Sequence, residues 1–93
     1  MDQLQTYRDE IDAIDQKIQQ LILNRMEIVA AIADYKMTRD LSVYDHSRED
    51  EVIRKNLDRI KDSPYVTYYQ HILEVVLKES KEFQKAIVIR STL

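Results

Sequence analysis

Residues 4–35 read LQTYRDEIDAIDQKIQQLILNRMEIVAAIADY and contain no glycine or proline. Apolar residues and one arginine recur in this stretch at alternating spacings of three and four: Leu4, Tyr7, Ile11, Ile14, Ile18, Leu21, Arg25, Ile28, Ile32 and Tyr35. We call these positions the seam. A repeat of this kind is typical of one long helix that packs along a partner helix. We therefore predict a helix over residues 3–37, which at about 1.5 Å per residue is about 50 Å long.

Arg25 is the charged member of the seam. A charge at a core position lowers stability unless another group pairs with it. Two interpretations follow for Arg25. It belongs either to a buried structural ion pair or to a site that binds an anionic ligand.

Length and composition indicate an all-α protein with one domain spanning residues 1–93. The chain has no glycine, one proline and many good helix formers. A compact globule of this size is about 32 Å across, which is shorter than the predicted first helix. That helix must therefore protrude and bury its seam against another copy, so we expect an intertwined homodimeric helical bundle. A coiled-coil rod is the alternative architecture.

Two further helices are predicted, one short and one of medium length. A loop over residues 38–43 precedes the second helix, which Asp45 or Ser47 can cap. Its apolar stripe comprises Val52, Ile53, Leu57 and Ile60. Ser63 and Pro64 suit the N-cap and the first position of a third helix. The apolar stripe of that helix comprises Tyr65, Tyr69, Ile72, Leu73, Val76, Phe83 and Ile87, and residues 87–93 receive no assignment.

Charge and residue types exclude several classes of function. The net charge of −3 and the pI of about 5.3 argue against a nucleic-acid partner. Without cysteine and with only two histidines, the chain offers no thiol nucleophile, and we expect no metal site. The N-terminus lacks the pattern of a signal peptide, and no apolar run is long enough to span a bilayer. We expect a cytoplasmic protein without a membrane partner.

Three cations, Arg8, Arg25 and Lys36, border one face of the first helix. Arg25 and Lys36 are separated by roughly 16 Å along the helix, so their long side chains could bracket a small metabolite. Arg8 and Arg25 are roughly 25 Å apart, so one small ligand could touch both only if they come from different chains. The alternative for Arg8 and Lys36 is a solvated helix flank.

Polar residues also recur on the other two helices. Asp45, Arg48 and Glu49 share one face of the second helix, where they serve either as cap and surface ion pair or as contacts for a ligand. Ser80 and Gln84 interrupt the apolar stripe of the third helix one turn apart. If buried, both need hydrogen-bond partners from another chain or from a ligand.

The full set resembles the all-helical class of chorismate mutases. It comprises Arg8, Arg25, Lys36, the run VYDHSRE at residues 43–49, Ser80 and Gln84. The resemblance extends from about residue 4 to about residue 86, and its specificity lies in the set as a whole. It implies an intertwined homodimer of three-helix chains with two equivalent active sites, each completed by Arg8 of the partner subunit.

The resemblance also implies an activity, the Claisen rearrangement of chorismate to prephenate on the route to phenylalanine and tyrosine. Arg8 of the partner subunit and Arg25 would bind the two substrate carboxylates, with help from Ser80. Lys36 and Gln84 would donate hydrogen bonds to the ether oxygen. No covalent intermediate, metal or cofactor is implied.

At the other end of the substrate, Asp45 and Glu49 would accept a hydrogen bond from the ring hydroxyl, and Arg48 would support them. The catalytic residues would then be Arg25, Lys36, Glu49 and Gln84. Relatives on the same fold that eliminate pyruvate from isochorismate share the cations but lack counterparts of Asp45 and Glu49. Two alternatives stay open: such a lyase, and a dimerisation or regulatory module without turnover. A fused or associated enzyme of the same pathway is a further expected partner.

Overall fold

The computed structural model describes residues 2–92, which form three helices and no strand. The helices are α1 (Gln3–Thr38), α2 (His46–Arg59) and α3 (Val66–Thr92), and α3 packs against both of the others. The prediction of an all-α chain with one long, one short and one medium helix is therefore confirmed.

Side-chain and backbone hydrogen bonds define both ends of α1. The Asp2 side chain accepts a hydrogen bond from the Leu4 backbone N–H at 3.1 Å and so caps the first turn. At the other end, the Leu41 N–H donates to the Lys36 carbonyl and the Asp40 N–H donates to the Met37 carbonyl. This pair of bonds is a Schellman motif, which needs a left-handed residue after the cap. Asp40 takes that conformation with φ 54°, since the chain has no glycine.

The structure shows which residue caps α2, and it places the start of α3 later than predicted. Asp45 caps α2, and Ser47 already lies within the helix. α3 begins at Val66, so the predicted start at Ser63 and Pro64 is wrong. The Ser63 hydroxyl accepts from the Tyr65 N–H at 3.1 Å, which closes a tight turn before the helix instead of capping it.

The C-terminal part of α3 fills the stretch that the sequence left unassigned. Helix continues through Ala86 and ends at Thr92, while Leu93 lies outside the described residues. Ile87 and Val88 are half-buried. Their weak helix propensity is a small effect, and packing overrides it.

The seam is exposed in the single chain. The molecule measures 57 × 29 × 14 Å with a radius of gyration of 17.0 Å, against about 12 Å for a compact chain of this length. Among the residues whose burial the structure describes, the buried apolar core is restricted to Val29, Ala33 and Leu73. All apolar seam residues are 41–67% exposed. None of the described helices has the length and hydropathy needed to cross a membrane.

Candidate active site

A cavity of about 160 Å³ lies among the three helices. Its lining comprises Arg25, Val29, Ile32 and Lys36 of α1, Val43 and Asp45 before α2, Arg48, Glu49 and Val52 of α2, and Leu77, Ser80, Lys81 and Gln84 of α3. The structure thus brings together every predicted site residue except Arg8. Four cationic side chains face two carboxylates there, so the cavity has a local excess of two positive charges in a chain whose net charge is −3.

Arg25 is half-buried and its guanidinium binds a neutral group. Its Nη1 donates a hydrogen bond to the Ser80 hydroxyl, which donates in turn to the Val76 carbonyl at 2.8 Å. Ser80 is only 6% exposed, so the two hydrogen bonds satisfy a buried hydroxyl. Arg25 forms no salt bridge with any of residues 2–92. The structural ion-pair interpretation therefore lacks a carboxylate within the described chain, which favours the anion-site interpretation.

Lys36 connects the end of α1 to the loop before α2. Its Nζ lies 3.4 Å from the Val43 carbonyl oxygen, to which it donates, and its side chain is half-buried. The Schellman motif at Asp40 turns the chain back so that Val43 comes within this reach. An ammonium has three donors, so Lys36 keeps further hydrogen-bonding capacity toward the cavity that it lines.

Gln84 is half-buried, and its amide oxygen is buried. Its Oε1 has no hydrogen-bond partner among the described residues. A buried acceptor without a partner costs about 1–3 kcal/mol, and a ligand in the cavity could remove this penalty. Rotating the amide by half a turn exchanges its oxygen and its NH₂ group, so Gln84 can offer either an acceptor or a donor.

Asp45 and Glu49 supply the two carboxylates of the cavity. Asp45 is exposed and uses Oδ1 to accept from the Arg48 backbone N–H at 3.0 Å. Glu49 lies one turn further along α2 and pairs with Lys81 of α3 at 3.6 Å. Both carboxylates therefore have partners within the chain, and each retains acceptor sites for a ligand hydroxyl.

The Arg48 side chain differs from the expectation. It pairs with Glu51, one turn along α2, and does not support Asp45 or Glu49 with its guanidinium. Hydrogen bonds from the Lys55 side chain and, to a smaller extent, from the Arg48 side chain hold the pKa of the Glu51 carboxyl below its usual value. Arg48 still lines the cavity, so its charge contributes to the field there.

Arg8 lies outside the cavity of its own chain. It is exposed near the N-terminal end of α1 and is absent from the cavity lining. Its expected role in the site of the partner subunit stays a prediction.

Lys81 is a cavity residue that the sequence analysis missed. Leu77, Ser80, Lys81 and Gln84 all line the cavity, and they follow the spacing of one helix face. This spacing was the available signal, because it places Lys81 beside two residues that were already candidates.

Residues 7–85 match the family model described as "Chorismate mutase type II". The chain belongs to the chorismate mutase type II family. The match includes every predicted site residue, from Arg8 to Gln84. The resemblance inferred from the residue set is therefore confirmed.

Two curated proteins that are similar to this member of the chorismate mutase family carry the name bifunctional chorismate mutase/prephenate dehydratase. The protein of Buchnera aphidicola subsp. Acyrthosiphon pisum (strain APS) is 30% identical over 86 residues, which are 88% of this chain and 22% of the relative. The protein of Buchnera aphidicola subsp. Schizaphis graminum (strain Sg) is 30% identical over 87 residues, which are 91% of this chain and 22% of the relative. The chain thus spans about a fifth of the length of these relatives. No solved structure is a significant match.

Proposed function

We propose that this chain catalyses the rearrangement of chorismate to prephenate. The observation that carries the proposal is the cavity among the three helices, where the described residues offer neither a carboxylate partner to Arg25 nor a hydrogen-bond donor to the Gln84 amide oxygen. Chorismate is a dianion, and the local excess of two positive charges suits such a ligand. Membership of the chorismate mutase type II family supports the same assignment.

The chemistry requires positioning and electrostatics only. The Claisen rearrangement is intramolecular: the ether C–O bond breaks while a C–C bond forms, and no proton or electron is exchanged with the protein. An enzyme accelerates such a step by holding the compact reactive conformer and by stabilising negative charge that develops on the ether oxygen. The residues of the cavity are suited to both tasks.

In this proposal, Arg25 and Ser80 bind one substrate carboxylate from within the chain. The existing bond from Arg25 to Ser80 orients the guanidinium before the substrate arrives. Lys36 and Gln84 lie on α1 and α3 respectively, and they would donate to the ether oxygen from two sides. Both donors are fixed by helices, which limits the reorganisation that the reaction requires.

Asp45, Arg48 and Glu49 occupy the α2 side of the cavity. There the carboxylates of Asp45 and Glu49 would accept a hydrogen bond from the ring hydroxyl, while Arg48 would add positive charge to the field. This pair of carboxylates also distinguishes the proposed mutase from the isochorismate lyases described above.

A second cation is needed for the other substrate carboxylate. We propose that Arg8 of the partner subunit takes this position in a homodimer built along the exposed seam. We also infer that an enzyme that consumes prephenate works with this domain, in the same polypeptide or beside it, since the relatives carry both names.

The decisive experiment follows chorismate absorbance after addition of the purified protein. Prephenate is identified by its conversion to phenylpyruvate in acid, and isochorismate is tested in parallel for release of pyruvate. We expect loss of chorismate with prephenate as the product. Pyruvate from isochorismate would assign the lyase instead, and no turnover of either compound would favour the non-catalytic module.

A further inference from the structure

Lys81 lines the cavity from α3 and contacts Glu49, which also lines it, and Tyr44, which does not. Its Nζ lies 3.6 Å from Glu49 Oε1 and 4.6 Å from the centroid of the Tyr44 ring. Its side chain is 24% exposed, and that of Glu49 is 29% exposed. The ammonium is thus held between a carboxylate and the face of an aromatic ring, and both contacts favour a cation.

The pair of Lys81 and Glu49 differs from the other ion pairs of the described chain. Each of the others joins residues three or four positions apart on one helix, with side chains that are 41–61% exposed. The Lys81 pair instead joins α3 to α2 across the cavity, and solvent screens it less. An exposed pair within one helix contributes little, whereas a sheltered pair between helices can fix the position of a side chain.

The ring beneath Lys81 is itself held in place. The Tyr44 hydroxyl forms a hydrogen bond with His46 Nδ1 at 3.1 Å, and the two rings meet edge to face at 4.1 Å between centroids. Tyr44 directly precedes Asp45, the cap of α2. The Lys81 contacts therefore connect α3 to the N-terminal end of α2, where both cavity carboxylates lie.

A carboxylate in a cavity that binds a dianion creates a conflict. The negative charge of Glu49 repels the substrate carboxylates unless a cation compensates it. Lys81 supplies that cation, and its position also restricts the rotamers of Glu49. In the proposed function Glu49 accepts the ring hydroxyl, so its orientation bears directly on substrate binding.

We propose that Lys81 is a positioning and specificity residue, which holds the Glu49 carboxylate toward the substrate hydroxyl and offsets its charge. This inference rests on the proposed function. Because the hydroxyl takes no part in the bonds that break and form, its contact contributes about equally in the ground state and in the transition state. Loss of Lys81 should therefore raise KM and leave kcat nearly unchanged.

The experiment compares Lys81→Met with a matched control, Lys85→Met. Lys85 lies one turn further along α3 and pairs with Glu82 at the same distance of 3.6 Å, but both side chains are exposed and neither lines the cavity. We expect Lys81→Met to raise KM for chorismate roughly five- to 30-fold with kcat within about twofold of the parent. Lys81→Arg should keep most of the parental KM, and Lys85→Met should match the parent.

A double-mutant comparison tests whether Lys81 acts through Glu49. In a Glu49→Gln background, Lys81→Met should raise KM by much less than it does in the parent, since the carboxylate that it positions is gone. Thermal unfolding is measured for each variant, and Lys81→Gln replaces Lys81→Met if the latter does not fold. Equal kinetics for the Lys81 and Lys85 variants would overturn the inference, as would additive effects on KM or a fall in melting temperature with unchanged KM.

Failure of the proposed function is recognised separately, from the parent protein. If the parent binds chorismate without converting it, the dissociation constants of the same variants from calorimetry replace KM in this comparison. If the parent neither converts nor binds chorismate, both the proposed function and the role of Lys81 are overturned.

Discussion

Arg25 shows how a single residue can carry a functional prediction. It is half-buried in a seam of apolar residues, and the described chain offers it a serine hydroxyl but no carboxylate. Folding alone gains little from such a charge, because a half-buried cation without a counter-ion loses part of its hydration and one serine hydroxyl replaces only part of that loss. A bound anion would supply the missing partner.

We therefore expect Arg25→Ala to lower kcat/KM far more than it lowers stability. The loss of a charge-assisted hydrogen bond of about 1.5–3 kcal/mol corresponds to roughly 10- to 150-fold in rate. The melting temperature should stay constant or rise. Arg54→Ala, at an exposed position of α2 outside the cavity, is the control. A variant that keeps its activity but loses several kcal/mol of stability would show that Arg25 is a structural residue.

Gln84 should make catalysis insensitive to pH, because an amide donor needs no protonation. In Gln84→Glu, the ionised carboxylate has acceptors only and opposes the partly negative ether oxygen. Burial raises the pKa of a carboxyl group, so the variant should be active at low pH and lose activity as the pH rises through that pKa. We would measure kcat/KM from pH 4 to pH 8 for both proteins and check the fold by circular dichroism. Parallel profiles would remove Gln84 from the ether oxygen.

Individual residues were predictable to different degrees. Arg25, Ser80 and Gln84 stood out because each is a polar group on an apolar stripe, and all three line the cavity. The partner of Arg48 was not predictable, because Asp45, Glu49 and Glu51 all lie within one turn of it and the choice depends on the side-chain rotamer. Lys81 was missed because a lysine on a helix surface is ordinarily solvated.

At the scale of elements, periodicity predicted which helices exist, and local hydrogen bonds determined where they end. α1 ends one residue later than predicted, and its ends lie close to the periodic stretch: Asp2 caps it just before, and the turn at Asp40 stops it five residues after. α3 begins two residues after Pro64, because the Tyr65 carbonyl is the one that accepts the opening hydrogen bond of the helix, from the Tyr69 N–H. Whether Ser63 caps the helix or closes a turn before it depends on the backbone conformation of residues 60–65. The residue types alone do not determine that conformation.

The left-handed conformation of Asp40 gives a prediction about the end of α1. Glycine takes positive φ without the steric penalty of a Cβ atom, so Asp40→Gly should raise the free energy of unfolding by up to about 1 kcal/mol. Asp40→Val should lower it by about 1–3 kcal/mol. In thermal unfolding, each 1 kcal/mol shifts the melting temperature by about 4–8 °C for a domain of this size.

Asp62→Gly is the matched control for Asp40. Asp62 is also an exposed aspartate between two helices, but it is not among the residues with positive φ. Glycine there increases the entropy of the unfolded chain without relieving strain, so it should not stabilise the protein. Equal effects of glycine at both positions would contradict the proposed role of the Asp40 conformation.

At the scale of the whole molecule, the single chain leaves its longest apolar surface uncovered. The seam residues run along most of α1, and the radius of gyration of 17.0 Å is that of an elongated body. Apolar patches of this extent mark interfaces in other proteins. This surface was predictable from the sequence. The seam pattern gives the length of the first helix, and that length exceeds the diameter of a compact chain of 93 residues. The position of Arg8 in an assembly could not be derived in the same way, since it depends on the register of two chains.

We predict that the assembled protein has composite sites, and subunit exchange tests this directly. Arg8→Ala and Arg25→Ala chains should each be nearly inactive as homodimers. After the two are unfolded, mixed in equal amounts and refolded together, half of the dimers should contain one chain of each kind. In such a heterodimer one site has both defects and the other has neither, so about a quarter of all sites should be intact.

Refolding each variant alone is the control, and mass spectrometry measures the heterodimer fraction. Heterodimers without recovered activity would mean that Arg8 and Arg25 of different chains do not share a site, and the model of a site completed across the seam would then be wrong.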